Sequence, residues 1–204
     1  MNKMKFSVCA VSLAMLLSSC GMSNTAKGGI IGGAGVLIGN KMDKSKKAAE
    51  LANAEAEVLT DKNGTQYVKA TFDSGLLFNT GSATLSASAQ AAIKKFVTNL
   101  SAEDNTFDLA ICGFTDNAGW KNSTAEQSAQ KNIDLSQKRA GAVSSYLTQC
   151  GVNATQIKSV TGMGEANPVA DNSTAAGQAQ NRRVEVYLYA SEAMIQAAQA
   201  QVNN

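Results

Sequence analysis

The 204-residue sequence contains no histidine, a single proline and a single tryptophan. Without an imidazole group, this chain has no Ser-His-Asp or Cys-His catalytic arrangement and no metal site that requires a histidine ligand. Charge is also scarce: 18 Lys and Arg stand against 16 Asp and Glu, and no stretch is strongly basic, which disfavours nucleic acid as a partner. The 44% of hydrophobic residues is enough for one packed core, so length and composition favour one domain with appendages.

The N-terminal residues 1–19 have the layout of a secretory signal peptide. Lys3 and Lys5 form a basic start, residues 8–17 are an apolar segment too short to span a bilayer, and small residues lead into Cys20. The sequence LSSC at this point resembles a bacterial lipobox, in which the cysteine thiol receives a diacylglycerol and the cysteine becomes the new N-terminus. The alternative is an ordinary secretory signal followed by an incidental cysteine.

A lipid on Cys20 would anchor the mature chain, because each buried CH₂ group contributes about 0.8 kcal/mol and several acyl chains act together. The next residue is Gly21 and not an aspartate, which in the enteric pattern of lipoprotein sorting favours the outer membrane. The resemblance therefore implies a lipoprotein anchored in the outer membrane, with its folded part facing the periplasm.

Residues 20–55 connect this anchor to the folded part of the chain. Glycine recurs at small-xxx-small spacing in residues 28–39, a pattern that lets helices pack closely in membranes, although the run is too short to span a bilayer. Three interpretations stay open for it: a flexible tether, a self-associating or membrane-associated glycine zipper, and an element of the core. Residues 41–57 are rich in Ala, Lys and Glu with no wide apolar face, which predicts a solvated helical stem.

The region 56–190 alternates strand and helix patterns and predicts an α/β sandwich with partly parallel strands, followed by a helical tail over residues 191–204. Two helices are expected, one after Ser86 as its N-cap and one that begins at Ser136 as its N-cap and stops at Gly151. The expected strands cover residues 56–60, 65–72, 107–113, 157–162 and 183–189.

Ordered motifs in this region resemble those of one known family. Residues 113–119 (GFTDNAG) are similar to its G-[HF]-TD-x-x-G loop, and residues 132–140 (NIDLSQKRA) are similar to its N-x-x-LS-x-x-RA segment. Residues 77–85 supply an LF-x-x-G-x-x-x-L opening, and residues 181–185 (NRRVE) complete the series. The family is the OmpA-like C-terminal peptidoglycan-binding domain, and the resemblance covers residues 56–190. It implies a β-α-β-α-β(β) two-layer sandwich with a mixed sheet.

The resemblance also implies a site for the free end of diaminopimelate in the peptidoglycan stem peptide, which carries an ammonium and a carboxylate on one carbon. Asp116 would accept the ammonium, and Arg139, in the first turn of the second helix, would bind the carboxylate with a bidentate fork beside the positive helix end. Thr115 and Asn132 would supply hydrogen bonds, and Arg182 matches a family arginine near the site. Taken singly, Asp116 could stabilise a turn, Arg139 could be an exposed helix residue, and residues 181–183 (Asn181, Arg182 and Arg183) could form a solvated strand entry.

Three further features lead to separate expectations. Phe114 stands where the family usually has histidine, which removes a polar group beside the site. The segment 119–132 is longer than the family's usual spacing and contains Trp120, whose ring could contact glycan or pack onto the domain. Cys112 and Cys150 would lie in an oxidising periplasm, but the strand and helix patterns place them apart, so no disulfide is expected.

These observations favour a non-enzymatic tether, held by lipid in the outer membrane at one end and bound to peptidoglycan at the other. The alternative function is a membrane-associated oligomer formed through the glycine-rich segment, with the wall-binding domain as an anchor only. A wall hydrolase is disfavoured, because the chain has no histidine and no paired-carboxylate arrangement stands out. No metal ion, cofactor or nucleic acid is expected as a ligand.

Overall fold

A computed structural model describes residues 33–61, 64–101 and 107–202 of the chain. The expected signal peptide, the lipidation site at Cys20 and the first part of the glycine-rich segment lie outside the described residues. None of the helices in the described ranges combines the length and the apolar character needed to cross a membrane.

One five-stranded mixed sheet organises the fold, in the spatial order β1-β2-β5-β3-β4. Neighbouring strands run antiparallel except for β3 and β4, which run parallel. This confirms the mixed sheet and all five strands expected from the sequence. The strands are β1 (Glu55–Thr60), β2 (Gln66–Asp73), β3 (Phe107–Gly113), β4 (Ile157–Gly162) and β5 (Arg183–Ala190).

Strand β5 shows why the sheet has two different faces. Val184, Val186 and Leu188 are fully buried in the large hydrophobic core, which they share with the helices. Because side chains alternate across a strand, the intervening Glu185 and Tyr187 lie on the opposite face. There, Tyr187 belongs to a separate small cluster of apolar and aromatic side chains.

The four longest helices pack on the large-core face, which gives the two layers expected from the resemblance. A short 3₁₀ turn, Ala154–Gln156, precedes β4. The helices are α1 (Gly33–Leu51), α2 (Ser74–Leu77), α3 (Ala87–Ser101), α4 (Ala125–Gln149), α5 (Ala175–Asn181) and α6 (Glu192–Val202). The expected cap of α3 is confirmed, since the Ser86 hydroxyl accepts a hydrogen bond from the Ala89 N–H at 3.0 Å.

Helix α4 begins eleven residues before Ser136, so the predicted start of the second helix is wrong. Its N-cap is Thr124, whose hydroxyl accepts from the Gln127 N–H at 3.2 Å while the Gln127 side chain accepts from the Thr124 N–H at 3.0 Å. This capping box satisfies two N–H groups at the helix start and fixes the boundary there. Arg139 therefore lies inside the helix and not in its first turn, and the expected contribution of the positive helix end to the site is lost.

Helix α1 is packed into the domain, so the prediction of a solvated stem is wrong. Ala34, Ile38, Met42 and Ala49 recur at helical spacing and are buried against β1, β2, α3 and α6. The buried stripe is narrow and built partly from alanines, which is why its sequence pattern gives only a weak apolar face. The described residues from Gly33 onward therefore belong to the packed unit, ahead of the expected boundary at residue 56.

The described part of the glycine-rich segment is likewise packed inside the chain. A Cβ placed on Gly33 would lie 2.9 Å from a methyl group of Val202, and one on Gly39 would lie 3.1 Å from the Gln66 side chain. These glycines allow α1 to approach α6 and β2 closely. Residues 33–39 are therefore an element of the core, which was the third interpretation offered by the sequence.

The two cysteines within the described ranges are not bonded to each other. Cys112 belongs to the small cluster on the outer sheet face, whereas Cys150 packs against the large core on the helical side. Their separation by the sheet agrees with the expectation from the strand and helix patterns.

Candidate ligand-binding site

The predicted site residues meet at one end of the sheet. Gly113, the last residue of β3, pairs with Val184 at the start of β5. Thr115 and Asp116 follow β3 almost directly, and Arg182 immediately precedes β5. Because β3 and β5 run antiparallel, the end of one strand and the start of the other lie at the same edge, which brings these side chains together.

Asp116 has both of the roles that the sequence left open. Its Oδ1 atom accepts a hydrogen bond from the Ala118 N–H at 3.1 Å, as a turn-stabilising aspartate does. Its Oδ2 atom forms an ion pair with Arg182. The Asp116 side chain is 11% exposed and that of Arg182 is 37% exposed, so the pair lies at the boundary between protein and solvent.

Arg139 is a buried cation without a described carboxylate partner. Only 4% of the residue is exposed. Its Nε–H donates to the Ser82 carbonyl at 3.0 Å, and its guanidinium carbon lies 5.2 Å from the centre of the Phe78 ring. Within the described ranges, no carboxylate lies within ion-pair distance of this guanidinium and its two terminal nitrogens have no hydrogen-bond acceptor.

The electrostatic surroundings of Arg139 follow from this position. Burial lowers the pKa of Arg139 most, and the nearby positive charge of Arg182 lowers it further, whereas Asp116 raises it. An arginine side chain nevertheless stays protonated in proteins. A buried charge with so few partners is costly, and an anion placed against it would relieve that cost.

Thr115 and Asn132 have different positions relative to this charge pattern. The Thr115 hydroxyl is buried and has no hydrogen-bond partner among the described residues, while its N–H donates to the Gly164 carbonyl at 2.8 Å. Asn132 is buried and uses both ends of its amide inside the protein. Its Oδ1 accepts from the Trp120 indole N–H at 2.8 Å, and its Nδ2 donates to the Ala118 carbonyl at 3.2 Å. Asn132 thus holds the loop that carries Asp116.

Arg183 is a structural residue and not part of a solvated strand entry. It is 3% exposed, and its Nε donates to Glu185 at 2.7 Å. Its terminal nitrogens donate to the carbonyls of Asn181 at 3.2 Å and Asn167 at 3.1 Å. The Phe114 ring lies 3.8 Å from its guanidinium carbon, so phenylalanine at that position provides a stacking surface for the arginine.

Sequence reasoning missed the residues that hold Arg139 from outside helix α4. Ser82 and Phe78 belong to the segment that follows α2, where a bridge between Phe78 and Leu85 closes a loop around Gly81, which has a φ of 69°. The L-F-x-x-G spacing matched a family motif but gave no sign that a carbonyl of this segment would reach an arginine in a distant helix. That contact is decided by the packing of α3 and α4.

The site contains one carboxylate, two guanidinium groups and an unpartnered hydroxyl at the edge of the sheet. No group of three or more metal-ligating side chains occurs in the ranges that the structure describes. Opposite charges side by side can bind a ligand that carries both an ammonium and a carboxylate. The fold is that of a small α/β domain with an open mixed sheet, and this cluster of charges is its candidate ligand-binding site.

Residues 77–182 match the family model described as OmpA family, and the chain belongs to that family.

The similarity of this chain to curated proteins is concentrated in part of its length. The protein named Probable lipoprotein YiaD of Escherichia coli (strain K12) is 46% identical over 78 residues, which are 38% of this chain and 32% of that protein. Peptidoglycan-binding protein ArfA of Mycobacterium bovis is 44% identical over 78 residues, which are 21% of its length. Outer membrane protein A of Bordetella avium is 30% identical over 131 residues, 64% of this chain and 62% of that protein. The chain thus spans about a third or less of the first two relatives.

Solved structures support the fold. A MotB-like protein from Desulfovibrio vulgaris superimposes with a TM-score of 0.58 and 22% identity, covering 74% of this chain and 88% of that one. The cell wall anchor of the T6SS from Pseudomonas aeruginosa gives a TM-score of 0.55 with 24% identity and covers 74% of this chain and 97% of that one. At these identities the likeness concerns the fold alone.

Proposed function

We propose that this chain is a non-catalytic peptidoglycan-binding lipoprotein, which tethers the outer membrane to the cell wall. Its ligand in the wall is the free end of diaminopimelate, and its anchor is a lipid on Cys20. Membership of the OmpA family and the similarity to a protein named for peptidoglycan binding support the wall as the partner.

The observation that carries the proposal is the buried Arg139 with no carboxylate against it. Both terminal nitrogens of this guanidinium lack an acceptor among the described residues, so they remain available for a bidentate bond to a carboxylate. Asp116 lies close enough to influence the pKa of Arg139. A ligand carboxylate on Arg139 would thus place a neighbouring ammonium within the influence of Asp116.

Asp116 can accept that ammonium without first losing its existing contacts. An ionised carboxylate has about four lone-pair sites, and here the Ala118 N–H and Arg182 occupy only part of them. Arg182 is partly exposed and can turn toward the ligand carboxylate while the ammonium approaches Asp116. The unpartnered Thr115 hydroxyl, directly beside Asp116, supplies a further hydrogen bond.

The packing of α1 sets the length of the tether. If lipid is attached to Cys20, at most residues 21–32 separate the anchor from the described part of α1 (Gly33–Leu51). A fully extended chain of this length reaches at most about 45 Å. The domain is then held close to the membrane, and the wall must approach within this reach for both ends to be engaged.

Sedimentation of the full chain with purified sacculi tests the site. Arg139→Met should bind at least about thirtyfold more weakly, because it removes the charge that holds the carboxylate. Its free energy of unfolding should stay within about 1 kcal/mol of the wild type or rise, since a buried charge with few partners is lost. Asp116→Asn should also weaken binding. The exposed Lys138 and Asp134, on the same helix, provide matched controls as Lys138→Met and Asp134→Asn.

The two readouts separate a ligand-binding arginine from a structural one. Wild-type pull-down by either Arg139→Met or Asp116→Asn would overturn the proposed site. A large loss of stability in Arg139→Met, together with retained binding by the folded fraction, would assign the residue to the fold alone.

A further inference from the structure

Trp120, the only tryptophan of the chain, is held at the site by hydrogen bonds and not by the core. It packs against neither hydrophobic cluster of the described residues. Its backbone N–H donates to the Ser128 hydroxyl at 3.0 Å, and its indole N–H donates to the Asn132 side-chain oxygen at 2.8 Å. The residue is half-buried. A large aromatic side chain that is fixed in place but left out of the core has surface available for a ligand.

A short chain of hydrogen bonds links this ring to Asp116. Asp116 accepts from the Ala118 N–H at 3.1 Å, and the Ala118 carbonyl accepts from Asn132 at 3.2 Å. The same Asn132 amide accepts the indole N–H of Trp120. One buried asparagine therefore positions both the Asp116 carboxylate, which is proposed to hold the ammonium, and the Trp120 ring.

The surroundings of the ring are polar and accessible. The Lys131 ammonium lies over the Trp120 ring, 5.9 Å from its centre, and donates to the Ser123 hydroxyl at 2.9 Å. Lys131 is exposed. An indole ring with an exposed ammonium over it and a hydroxyl nearby suits a pyranose sugar, because the C–H groups of the sugar can stack on the ring face that Lys131 does not contact while its hydroxyls bond to the polar neighbours.

We propose that Trp120 forms a second subsite, which binds a sugar ring of the glycan strand next to the diaminopimelate site. The proposal rests on the proposed function, because the stem peptide held at Asp116 is covalently attached to the glycan. The family-typical site recognises the peptide end. The Trp120 subsite makes recognition depend on the sugar as well.

The test compares two soluble ligands: a diaminopimelate-containing stem tripeptide and the same tripeptide attached to its disaccharide. Titration calorimetry with the full chain should give the disaccharide form an advantage of about fivefold to tenfold. Trp120→Ala should abolish this advantage and leave the affinity for the free tripeptide nearly unchanged. Trp120→Phe, which keeps a ring but loses the indole N–H, should retain part of it. Lys121→Ala, an exposed neighbour, is the control and should behave as the wild type.

Tryptophan emission gives an independent readout, because no other residue of the chain contributes to it. The disaccharide form should shift or quench the emission more than the free tripeptide. Equal affinities of the wild type for the two ligands would overturn the sugar subsite while leaving the proposed function intact. Failure of both ligands to bind would overturn the proposed function itself. If Trp120→Ala does not fold, the affinity ratio of Trp120→Phe decides the question.

Discussion

Two glycines determine how closely helix α4 approaches the sheet, and substituting them gives a sharp test of the site architecture. Gly113 and Gly162 are paired in register at the ends of β3 and β4. A Cβ on Gly113 would lie 2.3 Å from the Ser136 carbonyl oxygen, and one on Gly162 would lie 2.3 Å from the Gln137 nitrogen. Both obstacles are helix backbone, which cannot rotate aside as a side chain can. Each alanine substitution must therefore push α4 away from the sheet.

The cost follows from the size of that displacement. Ordinary contact begins at 3.4 Å, so the helix must move by about 1 Å at this turn. Overpacking of a tight interior costs up to about 3 kcal/mol. Alanine loses less conformational entropy than glycine when the strand folds, and this offsets the cost by about 0.5–1 kcal/mol. We expect Gly113→Ala and Gly162→Ala each to lose about 2 kcal/mol of unfolding free energy. Arg139, one turn further along α4, should shift with the helix. Both variants should therefore bind sacculi more weakly than the wild type.

Urea unfolding of the full chain provides the assay, with Gly141→Ala as the matched control. Gly141 lies in the same helix, and a Cβ there meets nothing within 4 Å. That variant should gain about 1 kcal/mol through helix propensity. With an m-value of about 2 kcal/mol/M, the midpoint should fall by about 1 M for the two strand glycines and rise by about 0.5 M for the control. Equal midpoints for Gly113→Ala and Gly141→Ala would refute the close approach of α4 to the strand ends.

Three further outcomes are expected. Asn181→Ala should lower the unfolding free energy by about 3 kcal/mol in urea titrations. The reason is that the buried side chain accepts from two backbone N–H groups and donates to two acceptors. A loss below about 1 kcal/mol would contradict this role. Burial and nearby carboxylates raise the pKa of Tyr67 to about 12, so the stability that this group contributes is complete below pH 10 and is lost as the pH rises through its folded-state pKa. Tyr67→Phe should flatten that loss between pH 9 and pH 11.5, and an unchanged pH profile would exclude the contribution. Native alkylation should modify Cys150 before the buried Cys112, with the same mass shift with and without reductant; a reductant-dependent shift would reveal a bond between them.

The sequence predicted the strands well because their signal is local. The alternation of residue types along β3 and β5 depends only on neighbours in the chain, and both strands lie where the pattern placed them. The start of α4 was missed although its signal was also local. The T-x-x-Q capping box at Thr124 was present, but the polar composition of residues 119–132 and the low apolar content of the first turns concealed the helix.

The site residues were found through the order of family motifs, whereas their roles required the fold. No pattern along the chain indicates that the Asn132 amide is hydrogen-bonded to Trp120 and Ala118, or that Arg182 pairs with Asp116. Such contacts join residues that lie far apart in sequence. They depend on the antiparallel pairing of β3 with β5 and on the angle at which α4 crosses them.

The sequence by itself determined the alternation of strands and helices, the presence of one sheet and the set of polar residues that meets at its edge. These properties follow from side-chain periodicity, capping and motif order, which act over a few residues at a time. Only the tertiary structure decided that α1 is part of the core and that Arg139 is buried without a described carboxylate against it. Burial and charge balance are properties of three-dimensional surroundings, because they depend on which distant groups exclude water and which come within a few ångströms.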